Sequence, residues 1–238
     1  MTIIKAIVTG HTHGLGAAIA AELRRRHIAV LGIARGSTGA ADVQQVQLDL
    51  SAAAAVQAWL AGPPLADFLA DADVAVLINN AGVVQPVGAL ADQDVGEVAA
   101  AVALNVAAPL MLSAALARIM AGRQCRILHV SSGAGSNAYP GWSVYGATKA
   151  ALDHHARAVA LDATPGLRIC SLAPGVIDTA MQAQIRATPL ARFPLRARFE
   201  SLKADGALAA PADSAQALVR YALAERFGER PVDDVRQA

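Results

Sequence analysis

Short apolar runs alternate with longer stretches of helical periodicity along the whole chain. In the longer stretches, apolar residues recur three or four positions apart, as at Leu15, Ile19 and Leu23. Parallel strands need connections of about a dozen residues or more, and these stretches supply them. The pattern therefore predicts a doubly wound parallel sheet with helices on both faces. The strand-like runs lie at residues 3–8, 28–34, 43–48, 74–78, 125–130 and 167–173.

The alternation continues to the end of the chain without a linker, which predicts a single domain over residues 1–238. One segment, at about residues 178–206, departs from it and mixes Met181, Gln184 and Arg186 with two prolines. It predicts an irregular or short-helical insertion above the strand ends, and we expect it to act as a lid over the substrate. A short seventh strand is expected around residues 231–235.

Composition and charge exclude several classes of partner. Twenty basic residues balance nineteen acidic ones, so nothing in the net charge of +1 favours nucleic acid. No uninterrupted apolar run reaches the roughly 18 residues of a membrane span, and the first residues lack the order of a signal peptide. Cys125 and Cys170 lie in apolar runs without a metal-ligand neighbour. We therefore expect a cytoplasmic protein with reduced cysteines, no metal site and no membrane or nucleic-acid partner.

A glycine-rich turn, Thr9-Gly10-His11-Thr12-His13-Gly14-Leu15-Gly16, follows the first strand and opens a helix. Glycines in this position let the backbone turn tightly and approach a pyrophosphate, while the helix N-terminus offers free N–H groups and a favourable dipole. The turn predicts a dinucleotide-phosphate site, and the fold class becomes a single-domain Rossmann type.

Arg35, at the end of the second strand, indicates which dinucleotide binds. An acidic residue in this position would bind the ribose 2′-hydroxyl of NAD, but none is present. Arg35 can instead pair with a 2′-phosphate through charge-assisted hydrogen bonds, unless it is simply a solvated arginine. The predicted cofactor is NADP(H). Since His13 can contribute only as a cation or a neutral donor, this prediction depends on Arg35.

Ser132, Tyr145 and Lys149 form the candidate catalytic set. The Tyr-x-x-x-Lys spacing places both side chains on one helix face, one turn apart. The tyrosine pKa is normally about 10, and a neighbouring lysine cation is expected to lower it. Ser132 directly follows the fifth strand, where its hydroxyl can hold a carbonyl oxygen beside the tyrosine. The set predicts proton transfer by Tyr145.

These motifs, taken in order, resemble the short-chain dehydrogenase/reductase family from residue 3 to about residue 181. The motifs that carry the resemblance are Thr9-Gly10-x-x-x-Gly14-x-Gly16, Asp49-Leu50, Asn79-Asn80-Ala81-Gly82, Asn105, Ser131-Ser132, Tyr145-x-x-x-Lys149 and Pro174-Gly175-x-x-x-Thr179. Two positions depart from the family pattern, because the His13 slot often holds arginine in NADP-using members and the His11 slot often holds a small residue.

The resemblance implies roles for individual residues. Catalysis would fall to Asn105, Ser132, Tyr145 and Lys149, with Asn105 kinking a helix and holding a water of the proton relay. The long helices at residues 92–120 and 144–163 would pack against another subunit, giving a homodimer or a tetramer. The implied cofactor-binding residues are Gly10, Thr12, His13, Gly14, Leu15, Gly16, Arg35, Asp49, Leu50, Asn79, Ala81, Gly82, Tyr145, Lys149, Pro174, Gly175, Ile177 and Thr179.

A finer resemblance, at residues 174–182, 199–203 and 232–233, is to the sepiapterin reductase and benzil reductase branch. It implies an NADPH-dependent carbonyl reductase acting on a vicinal dicarbonyl or a related ketone, with Tyr145 as general acid. Asp233 or Asp234 would then match an acidic pterin ligand, or be a solvated tail residue. Two alternatives remain: a secondary-alcohol dehydrogenase of the same family, and a non-catalytic NADP-sensing protein. The expected pocket wall is Ala134, Tyr139, Trp142, Val176 and Met181.

Overall fold

The computed structural model describes residues 2–40 and 42–237. Its strands are β1 (Ile4–Thr9), β2 (Ala29–Ala34), β3 (Gln44–Gln47), β4 (Val74–Asn79), β5 (Gln124–Val130), β6 (Leu167–Ala173) and β7 (Val232–Asp234). Its helices are α1 (Gly14–Arg25), α2 (Ala53–Ala61), α3 (Pro64–Phe68), α4 (Val95–Val102), α5 (Ala108–Ile119), α6 (Ser143–Leu161), α7 (Ala180–Ala187), α8 (Arg196–Ala204) and α9 (Pro211–Leu223).

Within the described residues, seven strands form one sheet in the order β3-β2-β1-β4-β5-β6-β7, and every pair is parallel. The chain first builds outward from β1 to β3 and then returns to the other side of β1 with β4. Ala6 of β1 accordingly pairs with Val30 on one side and Val76 on the other. A crevice opens beyond the carboxyl ends of the strands where the order reverses, which is between β1 and β4.

Apolar side chains cover both faces of the sheet. On one face, α1 and α9 pack over β1 residues such as Ala6 and Val8. On the other face, Leu112 and Leu116 of α5 pack over Ile7 and its neighbours. Strands buried on both faces are expected to be apolar throughout, as β4 is. The predicted doubly wound fold is confirmed, and so is the short seventh strand.

The long helical tract predicted at residues 92–120 is interrupted by one turn of π-helix, Ala103–Ala107. This irregular turn contains Asn105, for which the family resemblance implies a kink. Pro109 lies in the first turn of α5, where its missing N–H removes little hydrogen bonding. Single π-turns inside α-helices are often found at functional sites.

The tract Val95–Ile119 is long and apolar enough, by length and composition, to cross a membrane. Core helices of globular proteins meet the same criterion, and here α5 buries Leu112 and Leu116 against the sheet. The absence of a membrane partner stays a prediction.

The segment expected to be irregular or short-helical contains α7, a turn and α8. Ser51, two residues before α2, donates its hydroxyl to Asp49 Oδ1 at 2.7 Å, and its N–H donates to the same oxygen at 2.9 Å. Cys125 and Cys170 are free and buried.

Candidate active site

A cleft of about 800 Å³ opens at the carboxyl ends of the strands, below α7 and α8. This is a size typical of ligand pockets. Of the twenty site residues that the sequence predicts, all but Asn79 and Asn105 line it. The lining residues are Gly10, Thr12, His13, Gly14, Leu15, Gly16, Arg35, Asp49, Leu50, Ala81, Gly82, Ser132, Tyr145, Lys149, Pro174, Gly175, Ile177 and Thr179.

The glycine-rich turn has the geometry of a phosphate cradle. Gly10 and Gly14 have φ angles of +68° and +55°, a region that favours glycine. A Cβ atom on Gly16 would lie 2.1 Å from the carbonyl oxygen of Gly10, so only glycine lets α1 approach the turn this closely. The first turn of α1 carries no acidic residue that would oppose an anion at its positive end. These residues therefore fit a dinucleotide pyrophosphate.

The turn is fixed to the end of β4 by Asn80, which is absent from the predicted cofactor-binding residues. Asn80 donates its side-chain N–H to the carbonyl oxygen of Thr9 at 2.9 Å, and it lines the cleft. The side chain of Asn79, which was predicted to bind cofactor, is buried away from the cleft with Nδ2 3.1 Å from His129 Nδ1. Neighbouring side chains of a strand point to opposite faces, so only one of the two asparagines can face the turn.

Asn105 was predicted to be catalytic, and its side chain does not line the cleft but hydrogen-bonds with Val83 and Thr148. Its Oδ1 accepts from the N–H of Val83 at 2.9 Å. Its Nδ2 donates to the carbonyl oxygen of Val83 at 2.9 Å and to Thr148 Oγ1 at 3.1 Å. We therefore assign the Asn105 side chain as a positioning group, which ties the chain after Gly82 to helix α6.

Ser132, Tyr145 and Lys149 meet at the centre of the cleft. Ser132 caps the short turn after β5, where its Oγ accepts from the N–H of Ala134 at 3.2 Å. The Ser132 hydroxyl lies close enough to the buried hydroxyl of Tyr145 to lower the pKa of the tyrosine. Lys149 lies one turn along α6 and donates to the carbonyl oxygen of Val130 at 2.8 Å. The predicted arrangement, with both side chains on one helix face beside the serine, is present.

The electrostatics of Tyr145 differ from the expectation. Burial raises its pKa, and the nearby Ser132 hydroxyl opposes that rise only in part. Lys149 Nζ lies 5.7 Å from the centre of the Tyr145 ring and does not set the direction of the shift. Burial also lowers the pKa of Lys149 to about 8, against the opposing effect of Asp153. Tyr145 is therefore protonated at neutral pH and suited to donate a proton.

Asp153, one helical turn beyond Lys149, organises the floor of the site, and the sequence analysis did not single it out. Its buried carboxylate oxygen Oδ1 accepts from the hydroxyls of Ser131 at 2.7 Å and Ser171 at 2.6 Å. Its Oδ2 lies 2.6 Å from where a Cβ of Gly135 would be. Asp153 thus ties Ser131, the residue before Ser132, and β6 to α6. The signal was available, because Tyr145, Lys149 and Asp153 share one helical spacing.

The outer half of the cleft is aromatic. Trp142 stacks on Phe193 with ring centres 4.8 Å apart, and it meets the Tyr145 ring edge-on at 5.3 Å. Phe199 of α8 closes this cluster at 5.4 Å from Trp142. The whole expected wall lines the cleft, namely Ala134, Tyr139, Trp142, Val176 and Met181.

The acidic residues near the C-terminus do not contribute to this pocket. Asp233 is buried, accepts from the Tyr221 hydroxyl at 3.2 Å and pairs with Arg230 at 2.9 Å. Asp234 pairs with Arg236. Neither aspartate lines the cleft, so the match to an acidic pterin ligand is wrong. In the part of the chain that the structure describes, no group of three or more histidine, cysteine or acidic side chains could hold a metal.

A parallel sheet with a phosphate cradle and a serine, tyrosine and lysine at its edge defines a class of dinucleotide-dependent oxidoreductases. The sequence model of the family described as short chain dehydrogenase matches residues 5–190. The chain therefore belongs to the short-chain dehydrogenase family and is an oxidoreductase. Members bind a nicotinamide cofactor, act on small molecules and are commonly oligomeric.

Two bacterial proteins named benzil reductase ((S)-benzoin forming) are similar to the chain. The protein from Bacillus subtilis (strain 168) is 31% identical over 217 residues, or 86% of the chain and 87% of that protein. The protein from Bacillus cereus is 35% identical over 161 residues, or 66% of the chain and 65% of that protein. The second match therefore spans slightly less than two thirds of the relative's length.

A solved structure described as a short-chain dehydrogenase/reductase from Burkholderia vietnamiensis is 52% identical to the chain. It superposes with a TM-score of 0.72 and covers 98% of this chain and 97% of that one. Together with the Bacillus relatives, it confirms the predicted family and the likeness to the benzil reductase branch.

Asp153→Ala should lower the free energy of unfolding by about 3 kcal/mol, since it removes the charged acceptor of two buried hydroxyl hydrogen bonds. Urea denaturation measures the change. Asp162→Ala is the control, because Asp162 lies exposed at the end of the same helix and its side chain makes no hydrogen bond to any described residue. Equal unfolding curves for native protein and Asp153→Ala would contradict the assignment.

Proposed function

We propose that this oxidoreductase is an NADPH-dependent carbonyl reductase that acts on vicinal dicarbonyl compounds of the benzil type. The observation that carries the proposal is that Ser132, Tyr145 and Lys149 line one cleft together with the phosphate cradle and Trp142. A dinucleotide extending from the cradle would bring its nicotinamide to Ser132 and Tyr145. The carbonyl would then lie on these two residues, with its apolar groups against Trp142.

The side chains of the site suit reduction. When bound, the nicotinamide cofactor supplies the hydride. Ser132 and Tyr145 hold the substrate carbonyl oxygen, and Tyr145 gives it a proton as the new alcohol forms. The raised pKa of Tyr145 favours this direction, because the residue begins as the neutral phenol. Lys149, whose pKa of about 8 lies near neutrality, is placed to exchange a proton beside it.

The aromatic half of the cleft supports an aryl-substituted substrate. Trp142, Phe193 and Phe199 form a cluster of stacked and tilted rings against which a further ring can pack. The two Bacillus relatives are named as benzil reductases that form (S)-benzoin. Benzil is a diaryl dicarbonyl, and both of its rings need an apolar wall.

The preference for NADPH is supported by the end of β2. Arg35 is exposed there, lines the cleft and carries the only charge directly at the strand end. Asp49, just after the neighbouring strand β3, makes two hydrogen bonds with Ser51 that lower its pKa, and the charge of Arg35 lowers that pKa further. Arg35 makes no hydrogen bond to a described side chain, so its guanidinium donors are available to a 2′-phosphate.

We also propose that the protein forms a homodimer and that it is cytoplasmic. The surface of α4 and α5 exposes apolar side chains, with Val95 83% and Val102 44% exposed. Such a surface supports pairing with a second copy, as the family resemblance implies. The buried free thiols of Cys125 and Cys170 suit a reducing compartment.

Tyr145→Phe should lower kcat for benzil reduction by about a hundredfold or more, because it removes the proton donor while keeping the ring. The decay of NADPH absorbance with a panel of aryl dicarbonyls measures this. Tyr221→Phe makes the same chemical change outside the cleft and should retain activity.

If native protein binds NADPH but turns over no dicarbonyl, the non-catalytic alternative holds. Faster alcohol oxidation than ketone reduction at neutral pH would favour the alcohol dehydrogenase.

Arg35→Ala should reduce kcat/KM with NADPH by about tenfold or more while leaving kcat/KM with NADH nearly unchanged, since only NADPH offers a phosphate to the guanidinium. Steady-state kinetics with both cofactors provide the test. Arg220→Ala, an exposed arginine of α9, serves as the control. Native protein that uses NADH as well as NADPH contradicts the cofactor assignment.

Ala114→Arg should convert the dimer to a monomer, because it places a charge on the exposed side of α5. Light scattering coupled to size exclusion gives the mass directly. Ala54→Arg on the exposed side of α2 is the matched control and should stay dimeric. A native protein that runs as a monomer contradicts this part of the proposal.

A further inference from the structure

His11 lies in the middle of the phosphate cradle but points away from the cleft. Its side chain is only 2% exposed and does not line the cleft, although Gly10 and Thr12 on either side do. The ring lies against β2 at Gly32, where an added Cβ atom would come within 2.5 Å of the ring carbons. A glycine in the middle of a buried strand weakens the strand, so its presence needs a packing reason. The His11 ring is that reason.

The buried ring makes one specific hydrogen bond. His11 Nε2 lies 3.0 Å from Oε1 of Gln45 on β3. The amide nitrogen of Gln45 donates to the carbonyl oxygens of Thr38 at 2.9 Å and Ala40 at 3.3 Å. Its oxygen must therefore be the acceptor on the other side, and there it also accepts from the N–H of Thr38 at 2.7 Å. It follows that His11 carries its proton on Nε2 and donates it to Gln45.

This bond joins the two segments that border the predicted 2′-phosphate position. His13 follows His11 in the cradle, and Arg35 immediately precedes the loop that Gln45 holds at Thr38. Both His13 and Arg35 line the cleft. Apart from the bonds to Gln45, this loop is held to β3 by a hydrogen bond of 3.4 Å from Gln47 Nε2 to Ser37 Oγ, and the space around Gly36 is open. Without the bond from His11, the loop would lose part of its connection to the cradle.

We propose that His11 and Gln45 determine cofactor specificity by positioning the Arg35 loop for the 2′-phosphate of NADP(H). They are positioning residues, because they touch neither the cleft nor its contents and act through Arg35. A loop ordered in advance loses less conformational entropy when it closes on the phosphate. NAD(H) has no phosphate at this position, so ordering of the loop does not strengthen its binding. The inference rests on the NADPH preference proposed above.

The test compares ligands that differ only by the 2′-phosphate. Dissociation constants for adenosine 2′,5′-bisphosphate against 5′-AMP, and for NADP⁺ against NAD⁺, are measured by calorimetry without any turnover. His11→Leu and Gln45→Leu should each weaken the phosphorylated ligands by about tenfold and change the others by less than about twofold. The double variant should be no weaker than the single ones, because both break the same connection.

Two further variants separate positioning from general damage. His11→Gln can place an amide N–H near the position of Nε2 and should restore most of the preference. Gln44→Leu is the matched control: Gln44 is exposed on the same strand, makes no side-chain hydrogen bond to a described residue, and should behave as native protein. If His11→Leu does not fold, as judged by thermal unfolding, Gln45→Leu carries the test, because Gln45 is only half-buried.

The outcomes are distinct. Selective loss of the 2′-phosphorylated ligands, with rescue by His11→Gln, supports the inference. Equal weakening of phosphorylated and unphosphorylated ligands, or an unchanged ratio in both leucine variants, overturns it and leaves the proposed function intact. A native protein without a preference for NADP⁺ overturns the cofactor assignment and the inference with it, and this result is visible before any variant is made.

Discussion

The hydroxyl of Thr9 holds together the two strand ends between which the whole cleft opens. Its Oγ1 accepts from the N–H groups of Asn80 and Ala81, both at 2.9 Å, and so joins β1 to β4 where the strand order reverses. Strands that diverge at this point have no main-chain partner beyond their last pair, so a side chain must supply the connection. The phosphate cradle continues from one of these ends and the chain toward Val83 from the other.

The same connection continues from Val83 into the catalytic helix. The Asn105 side chain accepts from the N–H of Val83 and donates to the carbonyl oxygen of Val83 and to Thr148 Oγ1. The Thr148 hydroxyl in turn donates to the carbonyl oxygen of Tyr145 at 2.8 Å. These hydrogen bonds, together with the main chain from Ala81 to Val83, therefore connect the cradle to Tyr145. The relative position of cradle and tyrosine, on which the proposed hydride and proton transfers both depend, is set by side chains that never touch the cleft.

The sequence predicted the sheet, the cradle and the catalytic set, because each rests on a local pattern: apolar runs, glycines after a strand, and a one-turn helical spacing. It did not predict features that depend on which residues become neighbours in the folded chain. Asn79 and Asn80 look alike in sequence, and only the pleat of β4 determines that Asn80 faces the turn. The pKa of Tyr145 rises because of burial, which no spacing with Lys149 reveals. Asp153 became visible only once Ser131 and Ser171 were seen to meet on it.

Gly32 carries a consequence for how this chain can vary. The His11 ring occupies the space that a side chain at position 32 would take, so the two positions share one volume. A larger residue at 32 is compatible only with a smaller one at 11, and a small residue at 11 leaves a void that glycine at 32 cannot fill. Any redesign of this end of the cleft must therefore change positions 11 and 32 together. Relatives that carry a small residue in the cradle should carry a bulkier one in the middle of their second strand.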